Sequence, residues 1–115
     1  MRTANQIAAE MLKQHPFVFR NSCGMATDSR GHKFRFGLHP GSSDYIGFVD
    51  KQVYSYGDAD TIPIFASIEI KCYGDRLSPK QRKWNKVMQE HGCIVEVWSE
   101  DRKGNIVVKT GEEII

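Results

Sequence analysis

Two acids, an amine and an amide stand at intervals that suit work on a phosphate ester: Asp44, Glu69, Lys71 and Gln81. Glu69 and Lys71 lie two apart in the largely apolar run 64–71. Side chains on a strand alternate between faces, so Ala66, Ile68 and Ile70 share one side and Ser67, Glu69 and Lys71 the other. The carboxylate and the ammonium then sit about 7 Å apart. Asp44 follows the turn residues Pro40-Gly41-Ser42-Ser43 and opens a second apolar run, 45–49. If the two runs are neighbouring strands, Asp44 and Glu69 converge on one divalent cation. Mg²⁺ takes six oxygens and keeps several waters. Two carboxylates, the backbone carbonyl of Ile70 and water would supply them. Such an ion polarises a phosphate oxygen and acidifies a bound water. Lys71 would position that water or neutralise developing charge, and the chemistry implied is phosphodiester hydrolysis. Plainer roles compete: a solvated Glu–Lys pair, a turn-capping Asp, and a glutamine that only caps a helix.

The elements that would carry these residues can be read in order. Residues 4–14 predict a helix with Ile7, Met11 and Leu12 near one side and Ala4 and Ala8 extending it, stopped by His15-Pro16. Residues 17–21 predict a strand, and 23–33 a turn-rich connection. Residues 33–36 are extended, either pairing with the strand before them or covering the site. Residues 50–62 are a polar loop or a hairpin holding Val53, Tyr54 and Tyr56. Ser78-Pro79-Lys80-Gln81 predicts a helix start with Ser78 as N-cap, Pro79 first and Gln81 closing a capping box. The helix should reach His91 and stop at Gly92. Trp84, Val87, Met88 and His91 form its expected inward stripe, and Lys80, Arg82, Lys83 and Lys86 an outer face, solvated or touching DNA. Residues 93–98 and 106–109 predict two further strands joined by a turn, 101–105. The segment 110–115 is open.

Composition narrows the class. The chain has 115 residues, 40% hydrophobic and 26% charged, enough apolar content for one packed domain, 1–115. Net charge is +2, so any basic footprint must come from arrangement. No run is long and apolar enough for a membrane span or a signal peptide. Cys23, Cys72 and Cys93 are odd in number and lack a C-x-x-C pair, which reads as reduced thiols in a cytoplasmic protein.

An ordered set of motifs carries a resemblance. Phe19-Arg20-Asn21 with Gly24, Arg35-Phe36-Gly37, Pro40-Gly41-Ser42-Ser43-Asp44-Tyr45-Ile46-Gly47, Ile68-Glu69-Ile70-Lys71 and Arg76-Leu77-Ser78-Pro79-Lys80-Gln81 together resemble the VRR-NUC domain. That domain is the virus-type replication–repair branch of the PD-(D/E)XK nucleases. The resemblance runs from about the first helix to Trp98. It implies an α/β, restriction-endonuclease-like core, a mixed central β-sheet flanked by helices. It also implies Mg²⁺ dependence, with Mn²⁺ substituting, and cleavage of DNA. By position, Asp44, Glu69 and the Ile70 carbonyl would hold the metal, Lys71 would be the catalytic lysine and Gln81 the active-site glutamine. Small members resemble phage or prophage nucleases that act as homodimers on branched DNA such as four-way junctions.

Two departures stand out. Members often carry a glutamate early in the first helix, whereas the acid here, Glu10, comes late. The family's Gly-Gly-Ser-Asp turn is Gly-Ser-Ser-Asp, and 99–115 matches nothing in the pattern, which leaves a dimer contact or an extra hairpin. Arg20, Asn21, Lys33, Arg35, Ser43 and Arg76 are the expected DNA-contacting residues, a rim for phosphates. Phe34 and Phe36 are either DNA contacts or core, and Trp84 and Trp98 are core. A dimer is expected because cutting two strands together needs two sites. The alternatives are a catalytically silent DNA-binding module on the same fold and a subunit active only in a larger complex.

Overall fold

A computed structural model describes residues 1–114. Its first helix, α1 (Ala4–Gln14), begins in a capping box: the Thr3 hydroxyl accepts from the Gln6 amide, and the Gln6 side chain accepts from the Thr3 amide. Ile7, Ala8 and Met11 are its buried residues. Leu12, expected beside them, is exposed. One helical step beyond Met11 carries it off the narrow stripe facing the sheet.

Strands β1 (Val18–Arg20), β4 (Tyr45–Ser55), β5 (Asp58–Ile70), β6 (Ile94–Glu100) and β7 (Ile106–Thr110) form one sheet in the order β1-β4-β5-β6-β7. All neighbours are antiparallel except β5 and β6. That parallel pair needs a crossover, and α2 (Pro79–Glu90) supplies it. One face packs α1 on Val18, Tyr45, Ala66, Ile68, Ile70 and Trp98. The other gathers Val95, Val97 and Ile114, with Leu77 and Met88 against them. The result is a three-layer α/β fold of restriction-endonuclease-like type. Residues 66–70 of β5 are buried on both faces, so each fully buried residue of the size of Ile68 contributes about 2–3 kcal/mol.

In three segments the structure corrects the sequence reading or decides what it left open. Within 23–33 lies a strand, β2 (Gly24–Thr27), which pairs with β3 (Lys33–Phe36) as a separate hairpin. Its Phe34 and Phe36 are largely exposed, so they are not core. The stretch 50–62 is a hairpin: β4 and β5 stay paired from Tyr45–Ile68 out to Ser55–Asp58. Tyr56 and Gly57, at φ 51° and 85°, make a two-residue turn whose positive φ values match the strand twist. Last, 106–114 extends the same sheet with β7 and closes in a 3₁₀ turn, Gly111–Ile114; Ile115 lies outside the described residues.

Helix α2 starts as the sequence predicts, with Ser78 and Gln81 in a reciprocal capping box and Pro79 at its first position. Its inward stripe is shifted. Asn85 is the buried residue, while Val87 and His91 are exposed.

Candidate active site

The antiparallel register pairs Tyr45 with Ile68, so one further step sets Asp44 beside Glu69. Asp44 itself is exposed at the strand mouth. Its Oδ2 accepts the backbone N–H of Ile70 at 2.9 Å, which fixes the carboxyl against the segment carrying Glu69 and Lys71.

Glu69 is only 1% exposed. Gln81 Nε2 donates to its Oε1 at 3.2 Å. The other oxygen, Oε2, is buried with no hydrogen-bond partner among the described residues. Burial, and then the Asp44 carboxyl within hydrogen-bonding reach, push the Glu69 acid up to about 9, against a smaller pull down from Lys71. Two facing carboxyls, one of them buried, share this place only when a proton or a cation offsets their charge. Oxygen donors of this kind suit a hard divalent cation such as Mg²⁺ or Mn²⁺. Among the described residues no third His, Cys, Asp or Glu joins them, so water and backbone must complete any coordination shell.

The turn that delivers Asp44 is anchored from two sides. Asn21 donates both amide hydrogens, to Ser42 Oγ at 2.8 Å and to the Ser43 carbonyl at 2.9 Å. Its backbone N–H reaches the Asp44 carbonyl at 2.7 Å. On the far side Gly41, at φ +86°, lies against the first turn of α2. A Cβ there would come within 2.8 Å of the Lys80 backbone carbonyl. The turn therefore links Asp44 to the helix that positions Gln81.

Beneath the carboxyls runs a relay of hydroxyls. Trp84 Nε1 donates to Ser67 Oγ at 2.8 Å, and Ser67 Oγ donates to Ser43 Oγ at 2.7 Å. Ser43 is fully buried. This corrects the expectation that Ser43 contacts DNA: its hydroxyl is enclosed in the relay, because the turn folds it under Asp44. Asn21, also expected on the rim, has no amide hydrogen left for a phosphate. Trp84, expected as core, is half-buried, held by its N–H and stacked on His39 at 6.1 Å between ring centres. Trp98 is core, 2% exposed.

Two clefts beside the end of β5 receive Arg20, Lys71 and Arg76. The first, about 420 Å³, is lined by Asp44, Ile70, Arg20, Cys23 and residues of α1. There α1 presents Ala4, Asn5 and Ala8 rather than an acid, and Glu10 pairs with Lys13 at 3.0 Å instead. Asn5 is a cleft residue that the apolar pattern of α1 gave no reason to select. The second cleft, about 290 Å³, receives Lys71 together with Arg76. Lys33 and Arg35 are exposed on the β2–β3 hairpin. Asn85, missed by the helical periodicity, is buried under α2 with neither amide atom bonded among the described residues.

A mixed sheet sandwiched by helices, with two acids and a lysine at the mouth of its central strands, defines a nuclease core of the PD-(D/E)XK type. The model of the VRR-NUC domain matches residues 20–99, and the chain belongs to that family. No curated protein and no solved structure matches the chain.

Proposed function

We propose that this nuclease is a Mg²⁺-dependent DNA endonuclease, served also by Mn²⁺, which cuts branched DNA as a homodimer. The observation that carries the reading is Glu69: a buried carboxylate facing Asp44, with one oxygen held by Gln81 and the other left without a donor among the described residues. An orphaned buried acceptor costs about 1–3 kcal/mol, more when charged, and a cation bound between Glu69 and Asp44 would offset that cost.

A divalent ion bound by Asp44, Glu69 and the Ile70 carbonyl would supply Lewis acidity toward the phosphate and a more acidic water. The protein's own share is orientation and charge. The Ile70 amide holds Asp44. Gln81 sets the rotation of the Glu69 carboxyl, and its side-chain oxygen simultaneously accepts from the Ser78 amide, so helix start and active site share one residue. Lys71 leaves the end of β5 with its ammonium near Glu69, where it can orient a water or offset charge on the pentacoordinate phosphorus. Arg20, Arg35, Lys33 and Arg76 lie on exposed surface around the mouth and hairpin, suited to phosphates. The exposed cations suit phosphates rather than base edges, so DNA shape is the basis of selection in this reading.

The test is a substrate panel of duplex, single-stranded, flap and four-way-junction DNA, incubated with Mg²⁺, with Mn²⁺ and with EDTA, alongside light scattering to measure mass. Metal-dependent cleavage strongest on the branched substrates, by a species of twice the chain mass, is expected. Binding without cleavage in every metal would refute the enzyme reading in favour of a silent DNA-binding module.

A further inference from the structure

The family match ends at residue 99, yet the sheet continues into β7. That addition builds one wall of the cleft that Lys71 enters. Glu69 pairs with Val97 and Val97 with Lys109, so the three occupy one row across β5, β6 and β7. Paired residues share a face. Lys109 therefore stands on the same side of the sheet as Glu69, two strand spacings or about 10 Å away. The cleft gathers Lys71, Arg76, Arg82 and Lys109 against a single carboxylate, Asp75.

Among the described residues the cations of this cleft outnumber its carboxylates. Of the four ion pairs among the described residues, none includes any of them. Arg82 uses only Nε, toward the Leu77 carbonyl at 3.5 Å. Positive groups confined to a concave, partly apolar site repel one another and concentrate the field there. An anion lowers that energy, and a guanidinium fork suits phosphate oxygens.

We propose that this cleft is a second phosphate site, in which Arg82 and Lys109 hold the backbone of the DNA strand next to the phosphate being cut. The proposal rests on the nuclease reading and adds to it a path for the strand: from the carboxyl pair, past Lys71, along β7. It also gives the residues beyond the family match a role in substrate binding.

The experiment measures DNA affinity of the full chain in EDTA across a salt series, for wild type, Arg82→Gln, Lys109→Gln, the double variant, and Lys51→Gln on the distant ribbon. Removing one phosphate-binding cation should reduce the slope of log K against log salt by about 0.9 on duplex. Arg82→Gln and Lys109→Gln should each show that reduction, and the double variant the sum. Lys51→Gln should keep the wild-type slope, and melting temperatures should confirm that all variants fold. With Mg²⁺, Lys109→Gln should raise KM and leave kcat at saturating DNA unchanged. A double variant with wild-type slope and KM, while the wild type still cuts, overturns the cleft assignment alone. So does a Lys109→Gln variant that loses thermal stabilisation by inorganic phosphate yet keeps its DNA slope, since the cleft would then be a small-anion site. A wild type that neither binds nor cuts DNA removes the nuclease reading, and this proposal with it.

Discussion

Asp44 and Ile70 are joined by a hydrogen bond from the Ile70 amide to the Asp44 carboxylate, 2.9 Å long. The bond couples the loop before β4 to the end of β5. The two carboxyls of the site are thus held together by the backbone rather than by chance of rotamer. Asp44 faces outward and Glu69 inward, and their closeness helps raise the Glu69 acid well above the usual carboxylate range.

Asp44→Asn and Glu69→Gln should each abolish cleavage while DNA binding persists. Removing one charge-stabilising group from such a site costs about 10²–10³ in rate, and losing a metal ligand should cost at least that. Without metal, the wild type folds only by protonating Glu69 beside Asp44, because burial raises its acid to about 9; Glu69→Gln is neutral already and escapes that cost. The metal-free variant should therefore unfold at a higher temperature than the metal-free wild type at neutral pH. Mg²⁺ should raise the melting temperature of the wild type and not of the variant. Cleavage at the wild-type rate by either variant would refute the site.

Gly41→Ala should damage both stability and turnover. The residue holds φ +86°, and an added Cβ would press on the Lys80 backbone at 2.8 Å. Left-handed backbone at a non-glycine residue costs about 1–3 kcal/mol, and the clash adds to it. Because the turn delivers Asp44, kcat should fall together with the urea midpoint. A variant with wild-type midpoint and kcat would show that the turn need not dock on α2.

Much of this was legible in the residues themselves. Ser78-Pro79 with Gln81 specified a helix start by local hydrogen bonding alone, and the capping box is there. The pairing of residues 44 and 69 followed from two apolar runs behaving as adjacent strands. What escaped depended on tertiary packing. The ribbon tip carries Tyr at a positive-φ position where Asn or Gly would have announced the turn. Ser43 looked like an exposed turn residue because nothing in its neighbourhood reveals Ser67 and Trp84 beneath it. The stripe of α2 shifted to Asn85 since a polar residue carries no hydrophobic signal, however deeply it is buried. Lys109 gave no hint of a site either, because the other cations of its cleft come from α2 and from the loop between β5 and α2.

Acid should weaken the N-terminal attachment in a defined window. Glu100 is buried and accepts the Arg2 guanidinium at 2.7 Å and the Arg2 backbone amide at 3.1 Å. The Arg2 side chain, helped by that amide, holds the Glu100 carboxyl below the usual carboxylate range. A depressed folded value stabilises the native state fully above the unfolded pKa, about 4.3. That contribution fades as pH falls below it and is gone once the folded value is passed. Arg2→Met should thus lower the melting temperature at pH 7, and the gap to wild type should close below about pH 4. A gap independent of pH would mean that Arg2 acts through packing rather than charge.

Asn85 offers the converse case, a buried amide that stability would do without. Both its polar side-chain atoms are enclosed and unbonded among the described residues. An unsatisfied buried polar group costs about 1–3 kcal/mol, while an apolar side chain of similar size adds transfer energy at the same place. Asn85→Leu should therefore raise the unfolding free energy, by about 1 kcal/mol after repacking losses. Urea denaturation with an unchanged m-value would establish it. Asn85 lies one helical turn beyond Gln81 on the same face of α2, so the variant also separates support from chemistry. If the amide does nothing for the site, Asn85→Leu keeps its cleavage rate and gains stability. A loss of both would show instead that the Asn85 amide supports the fold on which the site depends.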